Sequence, residues 1–344
     1  MSLSEVRTTS GTRRPTISMV AKAAGVSTAT VSRVMSGNPA VSPELAARVH
    51  AAAEEMAYRP SGAARGLALG SLRNVGVILP DLVNAYFFDV VKQMHHAARA
   101  DGYRMLVADY SGAADDEYAT AVDLLGQVDG LILLSSRIPV SGLKDLAMQS
   151  TPVVLVNRVE LGVDLPMVAV DNFTAMMELC GHLAQLGHRR VVYVAGSDLS
   201  WQNRERWRAV EMSKVLGIEA FKVDSDGTID GGFNVTESAL VHEPTALICF
   251  NDLTAVGVIS KLRDLGVQVP ADVSVAGFDD VEIARHIAPR LTTVQSPKAQ
   301  LGDQAWRLLQ ETLRNEPGTS LPALNAKVVI RDSTGTISTG MARD

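Results

Sequence analysis

The chain has 344 residues, of which 47% are apolar and 20% charged. That composition is close to the average for globular proteins, and the length accommodates two or three domains of ordinary size. Global disorder is excluded, because there is ample apolar surface to bury. No run approaches the roughly 18 apolar residues of a membrane span. The polar opening from Met1 to Pro15, with Arg7, Arg13 and Arg14, lacks the apolar core of a secretory signal. Two cysteines 69 positions apart, Cys180 and Cys249, form neither a disulfide framework nor a metal-ligand spacing. The expectation is a reduced, cytoplasmic protein with no metal or other cofactor and no membrane partner.

The net charge of −6 hides an asymmetry. Residues 1–72 hold eight Lys/Arg and four acids, a balance of +4, and the remainder holds 24 basic and 34 acidic residues, a balance of −10. A small basic head on a larger acidic body suits a polyanion-binding module joined to something else.

The head reads as short helices. Thr16 is placed to cap a first helix whose apolar face is Ile17, Val20, Ala21 and Ala24. Gly25 suits the left-handed position that ends it. Ser27 or Thr28 then caps a second helix, Ala29 to Met35, with Val31 and Val34 inward. After a loop at Gly37-Asn38-Pro39, Ser42 and Pro43 open a third helix that should run to about Tyr58. Two short helices around a glycine turn form a helix-turn-helix, which presents its second helix to the major groove; the alternative is an ordinary helical hairpin.

The body alternates short β-branched runs with helix-length amphipathic stretches. The runs are 75–79, 105–108, 130–134, 153–156, 191–194, 246–250, 273–278 and 327–330. Continuous apolar runs are what strands buried on both faces look like, and the alternation predicts parallel α/β layers. About 270 residues suffice for two such lobes. Ligands of open α/β sheets bind beyond the carboxyl ends of the strands, so the residues just after these runs are the first place to seek a site.

The string V-A-x-x-A-G-V-S-x-x-T-V-S-R-V, Val20 to Val34, resembles the headpiece of the lactose-repressor/galactose-repressor (LacI/GalR) family. Tyr58-Arg59-Pro60, Ala64-Arg65-Gly66-Leu67, Val128-Asp129-Gly130 and Leu186 to Arg190 continue the resemblance, as do Asn251-Asp252, Val275 to Asp280, Leu291 to Val294 and Arg331 to Thr334. Together they span nearly the whole chain in family order. The resemblance implies an all-α helix-turn-helix headpiece followed by a two-lobed α/β effector domain like that of periplasmic binding proteins. It sets a tail at 1–15, the headpiece at 16–60, a hinge helix at 61–72, the effector domain at 73–334 and a tail at 335–344. The first lobe would comprise 73–171 and 299–322, the second 172–297 and 323–334. Crossings between lobes would fall near Asp171–Phe173, Gln295–Lys298 and Leu321–Leu324.

On the DNA side the resemblance points to Thr16, Ser27, Thr28, Ala29, Thr30, Arg33 and Tyr58. In the hinge it points to Leu67 as an apolar wedge in the minor groove, with Ala64 beside it and Arg65 reaching phosphate or groove. A plain interdomain linker is the alternative for this segment. Paired hinge helices require a homodimer and a palindromic operator.

In the cleft, Arg206 matches an effector-binding arginine, and its fork suits paired hydroxyls or a carboxylate. Asn251 is placed as effector contact, helix cap or both, and Asp252 as a cap or orienter. Asp279 resembles an acceptor of sugar hydroxyls, Asn157 stands where many relatives have Asp, and Lys298 where some place an aromatic ring. Tyr86, Phe87 and Phe88 would wall the first lobe or fill its core, and Trp201 would stack on a ligand or cover the cleft mouth. Arg206 and Lys298 together lean toward a sugar acid, with a neutral sugar or nucleoside an equal alternative.

No nucleophile elbow, phosphate loop ending Gly-Lys-Ser/Thr or His-Glu-x-x-His motif is present, so an enzyme is not expected. His95 and His96 read as surface residues and His188 as structural. The expectation is a ligand-controlled transcription regulator, a repressor in sense. A free solute-binding protein and a cleft enzyme are the alternatives. Nothing after Thr334 resembles a heptad, which favours a dimer over a tetramer.

Overall fold

A computed structural model describes residues 15–36, 40–59, 71–110, 114–316 and 323–337. The chain divides into two compact units, residues 1–73 and 74–344.

Three helices make the first unit: α1 (Ile17–Ala24), α2 (Thr28–Met35) and α3 (Pro43–Glu55). The turn between α1 and α2 depends on Gly25 at φ 64°, a conformation that costs a residue with a Cβ. Arg48 on α3 closes the same turn, donating to the Ala24 carbonyl at 2.6 Å. Ser27 caps α2 by accepting from the Thr30 amide at 3.1 Å. Thr16 and Ser42 precede their helices as expected, but their side chains make no cap hydrogen bond. α3 stops three residues short of Tyr58 because Ala57 turns to φ 48°. Val20, Ala21, Ala24, Val31, Val34, Val49, Ala52 and Ala53 are the buried core, small side chains that let three short helices approach closely.

The second unit holds two parallel sheets. The first has the order β2-β1-β3-β4-β5, from β1 (Asn74–Leu79), β2 (Arg104–Asp109), β3 (Gly130–Leu134), β4 (Val153–Val156) and β5 (Met167–Val168). The second has the order β7-β6-β8-β9, from β6 (Arg190–Val194), β7 (Glu219–Val223), β8 (Ala246–Cys249) and β9 (Ser274–Ala276). β10 (Thr293–Gln295) and β11 (Lys327–Val329) pair antiparallel where the chain passes between lobes. All eight apolar runs are strands. β1, β3, β4, β6, β8 and β9 are buried on both faces. β2 is a half-exposed edge instead.

Helices α4 (Ala85–Ala100), α5 (Ala114–Leu125) and α6 (Val140–Ala147) flank the first sheet, and α7 (Asn172–Gln185), α8 (Trp201–Met212), α9 (Ile229–Leu240) and α10 (Asp252–Asp264) the second. α11 (Lys298–Leu313) returns to the first lobe. There Gly302 sits against the Val90 carbonyl and Trp306 Nε1 donates to Asp101 at 2.7 Å. One crossing passes Val170 to Asn172, where Val170 bridges Leu324 of the third; Thr292 to Gln295 forms the second, bridging Ala276 and Asp279. Of the expected third crossing, 321 and 322 lie outside the described residues. The expected tail at 335 begins later: Gly335 accepts from His188 Nε2 (3.1 Å) and the Ile337 amide donates to Leu186 (3.3 Å), so the second lobe holds the chain to Ile337.

Candidate functional site

On the headpiece, the core-facing side of α2 is spent on Val31 and Val34, which leaves Ser27, Thr28, Ala29 and Arg33 exposed and Thr30 half-buried. Ser27 and Thr30 hydrogen-bond to each other through their hydroxyls at 2.9 Å, so Thr28, Ala29 and Arg33 are the freest to reach DNA. Thr16 is exposed, whereas Tyr58 packs half-buried on the headpiece core. Ala64, Arg65 and Leu67 lie outside the described residues.

Between the lobes of the second unit lies a cavity of about 480 Å³. The first lobe lines it with Tyr86, Phe87, Asp109, Ser135, Arg137 and Asn157; the second with Gln202, Arg206, Asp226, Phe250 and Asn251; Asp279 lies at the crossing. Strand ends do most of the positioning. Ser135 follows β3 at φ 54° and Asn157 follows β4 at φ 59°, sharp turns that aim both side chains over the sheet edge. Asn251 follows β8 and caps α10, its Oδ1 accepting from the Thr254 amide (2.8 Å) and its Nδ2 donating to the Gly227 carbonyl (2.9 Å). Asp279 follows β9 at φ 110°, a backbone conformation strained for any side-chain-bearing residue.

Arg206 is 3% exposed. Its Nε donates to Asn172 Oδ1 at 2.8 Å, its Nη1 to the Phe250 carbonyl and its Nη2 to Asp279 Oδ1 at 3.3 Å. The guanidinium also lies 3.5 Å from the Phe278 ring centroid. Burial raises the Asp279 carboxyl above the usual carboxylate range, and the Arg206 and Lys298 cations pull it back only in part. Burial, with Asp279 close by, raises Asp252 as well. Asp252 accepts from the Val281 amide at 2.8 Å and from the Thr293 hydroxyl, so it braces the loop behind Asp279. On the facing wall, Asn157 Nδ2 donates to Tyr86 Oη (2.9 Å) and Ser135 Oγ (3.2 Å). Its buried Oδ1 has no hydrogen-bond partner among the described residues. Gln202 reaches across from the second lobe and donates to Ser135 Oγ at 2.8 Å and to the Asn157 carbonyl.

Lys298 and Trp201 do not line this cavity, contrary to the sequence expectation. Lys298 opens α11, and its Nζ turns back onto the carbonyls of Asp279 (3.0 Å) and Asp280 (2.8 Å) and pairs with Asp89 at 3.5 Å. Trp201 is carried by another face of α8, into a separate depression. Phe88 is neither wall nor core but 59% exposed. Ser135, Arg137, Gln202, Asp109, Asp226 and Phe250 escaped the sequence reading. Ser135 and Phe250 obey the strand-end rule, and Gln202 shares a helix face with Arg206 four residues on. Arg137 and the two aspartates carry no signal in one sequence. The Arg137 amide donates to Glu117 Oε2 at 2.7 Å. Glu117 is fully buried, and burial raises its carboxyl.

A basic helix-turn-helix unit followed by two α/β lobes around a polar cavity is the plan of a ligand-responsive DNA-binding regulator. Residues 16–61 match the family described as bacterial regulatory proteins, lacI family, and residues 180–334 a periplasmic binding protein-like domain. Catabolite control protein A of Priestia megaterium is 32% identical over 328 residues, covering 93% of this chain and 99% of its own. The HTH-type transcriptional repressor CytR of Escherichia coli is 29% identical, covering 93% and 96%. The crystal structure of the lac repressor dimer bound to operator and the anti-inducer ONPF superposes with a TM-score of 0.80 at 26% identity, over 94% of this chain and 100% of that one. The chain belongs to the lacI family of bacterial transcriptional regulators. It is a DNA-binding regulator under the control of a small-molecule effector.

Proposed function

We propose that the chain is a cytoplasmic homodimeric repressor of a palindromic operator, and that its effector is a neutral, polyhydroxylated molecule held between the lobes. The charge balance of the cavity carries the effector assignment. Asp81, Asp109, Asp226 and Asp279 line it against Arg137 and Arg206. Arg206 is already paired with Asp279, and Lys298 is spent on backbone carbonyls outside it. An anionic ligand would enter a wall with a carboxylate excess, whereas a hydroxyl both donates and accepts. One ligand hydroxyl can donate to Asn157 Oδ1 and another to the Asp279 carboxyl, and Phe87 and Phe250 offer rings to the apolar face of a sugar. This sets aside the lean toward a sugar acid that counting Lys298 in the cleft produced.

Repression rests on the kinship with CytR, and the dimer on the assembly of the lac repressor. The DNA contacts proposed are Thr16, Ser27, Thr28, Ala29, Thr30, Arg33 and Tyr58, with Ala64, Arg65 and Leu67 in the hinge segment. The effector contacts proposed are Tyr86, Phe87, Asn157, Arg206, Asn251 and Asp279. Arg206 acts chiefly by holding Asp279 and the Phe250 loop in place.

A thermal-shift panel of neutral sugars, nucleosides, sugar acids and sugar phosphates tests the effector class. A ligand at 100 times its Kd stabilises by about 2.7 kcal/mol. A neutral polyol hit that Asn157→Ala weakens is the expected result, and hits confined to the acids overturn the assignment. Affinity for an operator fragment selected from random DNA should fall steeply with salt, as phosphate contacts dictate; a flat response contradicts the DNA contacts.

A further inference from the structure

α8 faces two cavities. Gln202 and Arg206 line the effector cavity. Trp201, Arg204, Glu205 and Arg208 follow the i, i+3, i+4, i+7 spacing of a single stripe. They line a separate cavity of about 690 Å³ beside the first crossing, with Phe173 on its wall and Leu161 from the first lobe on its rim. The carboxylates around it are already engaged. Glu160 pairs with Arg158 at 2.5 Å, Glu205 with Arg208 at 2.6 Å, and Asp171 caps α7 by accepting from the Thr174 amide at 2.9 Å. Arg204 differs. Its guanidinium reaches only the carbonyls of Asp198 and Leu199, each at 3.4 Å, and meets no carboxylate among the described residues. The same cavity holds two half-buried aromatic side chains, Trp201 and Phe173, the latter with the Arg208 guanidinium 4.2 Å from its ring centroid, and Leu161, which is 87% exposed.

We infer that this cavity beside the first crossing is a second ligand site, and that it takes a small organic anion with a flat apolar body. The anion meets Arg204, where a charge-assisted hydrogen bond is available, and the body covers Trp201, Phe173 and Leu161. The site is wired to the effector cavity. Asn172 lines the second cavity and its Oδ1 receives Arg206 Nε at 2.8 Å, so one side chain bounds the second ligand and orients the arginine of the first. Whatever the second ligand does to effector affinity, the effector returns by the same factor.

Calorimetric titration of the full chain with benzoate, inorganic phosphate and neutral benzyl alcohol tests the assignment, alongside Arg204→Gln, Trp201→Phe and Asn157→Ala. Arg204 is exposed and its contacts are long, so Arg204→Gln leaves the fold intact. Saturable benzoate binding is expected, weakened about tenfold or more by Arg204→Gln, the factor for one charge-assisted hydrogen bond. It should be weakened less by Trp201→Phe and unchanged by Asn157→Ala, while benzyl alcohol does not bind. Phosphate bound with the same dependence on Arg204 supports the anion site and assigns a phosphorylated ligand to it. Benzoate binding that survives Arg204→Gln but falls with Asn157→Ala places the molecule in the effector cavity and overturns the inference. Failure of both anions to bind at millimolar concentration overturns it as well. Failure of both anions leaves the effector class to the neutral-polyol panel, whereas benzoate held in the effector cavity counts against the neutral assignment as well.

Discussion

Arg206→Met is the sharpest test of the reading that Arg206 holds the cavity together. Methionine keeps an unbranched apolar stem beside Phe250 and Phe278 and deletes the charge. What remains is Asp279, 5% exposed, facing the space its cation occupied. Removing one partner of a buried ion pair costs about 3–5 kcal/mol, because the other charge is left without its partner. The 3.3 Å separation of Arg206 and Asp279 is long for such a pair, so the low end, about 3 kcal/mol, is expected. At about 2–4 °C per kcal/mol for a body of this size, the melting temperature should drop about 6–12 °C. Adding Asp279→Asn removes the stranded charge, so the double variant should recover about 2 kcal/mol relative to the sum of the singles.

The same logic fixes a pH dependence. The Asp279 carboxyl is raised by burial even with Arg206 present, and losing the cation raises it further. A carboxyl whose folded value lies above its unfolded one binds its proton more tightly when folded. Its contribution is therefore intact in acid and is lost as pH rises through the folded value. Arg206→Met should consequently lie nearest the parent in acid and furthest from it at neutral pH. Urea denaturation of the four proteins of the cycle at acid and neutral pH measures both effects. Penalties that add to within about 0.5 kcal/mol, or a deficit that ignores pH, would refute the argument.

Three further outcomes follow from the same geometry. Burial raises the Glu117 carboxyl, so the parent should lose stability as pH rises from the ordinary carboxylate value through the raised one; Glu117→Gln should flatten that slope in melts run from acid to neutral pH. Gly257→Ala drives a Cβ into the Ile229 carbonyl and to 2.7 Å from the Phe233 nitrogen, backbone that α9 cannot easily move, and should cost about 3 kcal/mol in chemical denaturation. Ser27→Ala removes the cap of α2 and should cost the headpiece about 1 kcal/mol, seen as faster hydrogen exchange at the Thr30 amide.

Legibility in the sequence follows burial. Apart from the opening Asn74 of β1 and Arg190 of β6, strands β1, β3, β4, β6 and β8 are apolar because helices cover both faces, and each reads as an uninterrupted run. β7 (Glu-Ala-Phe-Lys-Val) is a half-buried edge and β5 has only two residues, so neither makes a run. β10 (Thr293–Gln295) is fixed by its antiparallel partner rather than by its own pattern. The site divides the same way. Asn157, Asn251 and Asp279 stand at strand ends and are found by rule. Lys298 misleads because the residue opening a helix points where the preceding turn aims it, and Pro297 aims it at the Asp279 and Asp280 carbonyls. Trp201 misleads because a single step along α8 separates its face from that of Gln202, which does line the effector cavity. Helical phase, not residue type, separated Trp201 from Gln202.

The two ends of the inter-lobe contact are built from different bonds, and the difference says where motion is stored. At the crossings Asp280, 2% exposed, accepts from Arg331 (2.6 Å), Arg285 (3.0 Å) and Gln295 (2.9 Å), while Lys298 holds the carbonyls of Asp279 and Asp280. Three chain segments are thus tied by charge-assisted bonds, the kind most expensive to break once buried. Across the cleft, the Gln202 amide makes the lobe-to-lobe hydrogen bonds to Ser135 and to the Asn157 carbonyl, and these are neutral. A ligand hydroxyl can replace them one for one, each worth about 0.5–1.5 kcal/mol net. An effector that inserts between the lobes therefore biases their angle only by the difference between the bonds it makes and those it displaces. A coupling of about 1–3 kcal/mol is the usual size for allosteric linkage, and one or two hydrogen bonds made beyond those displaced supply it.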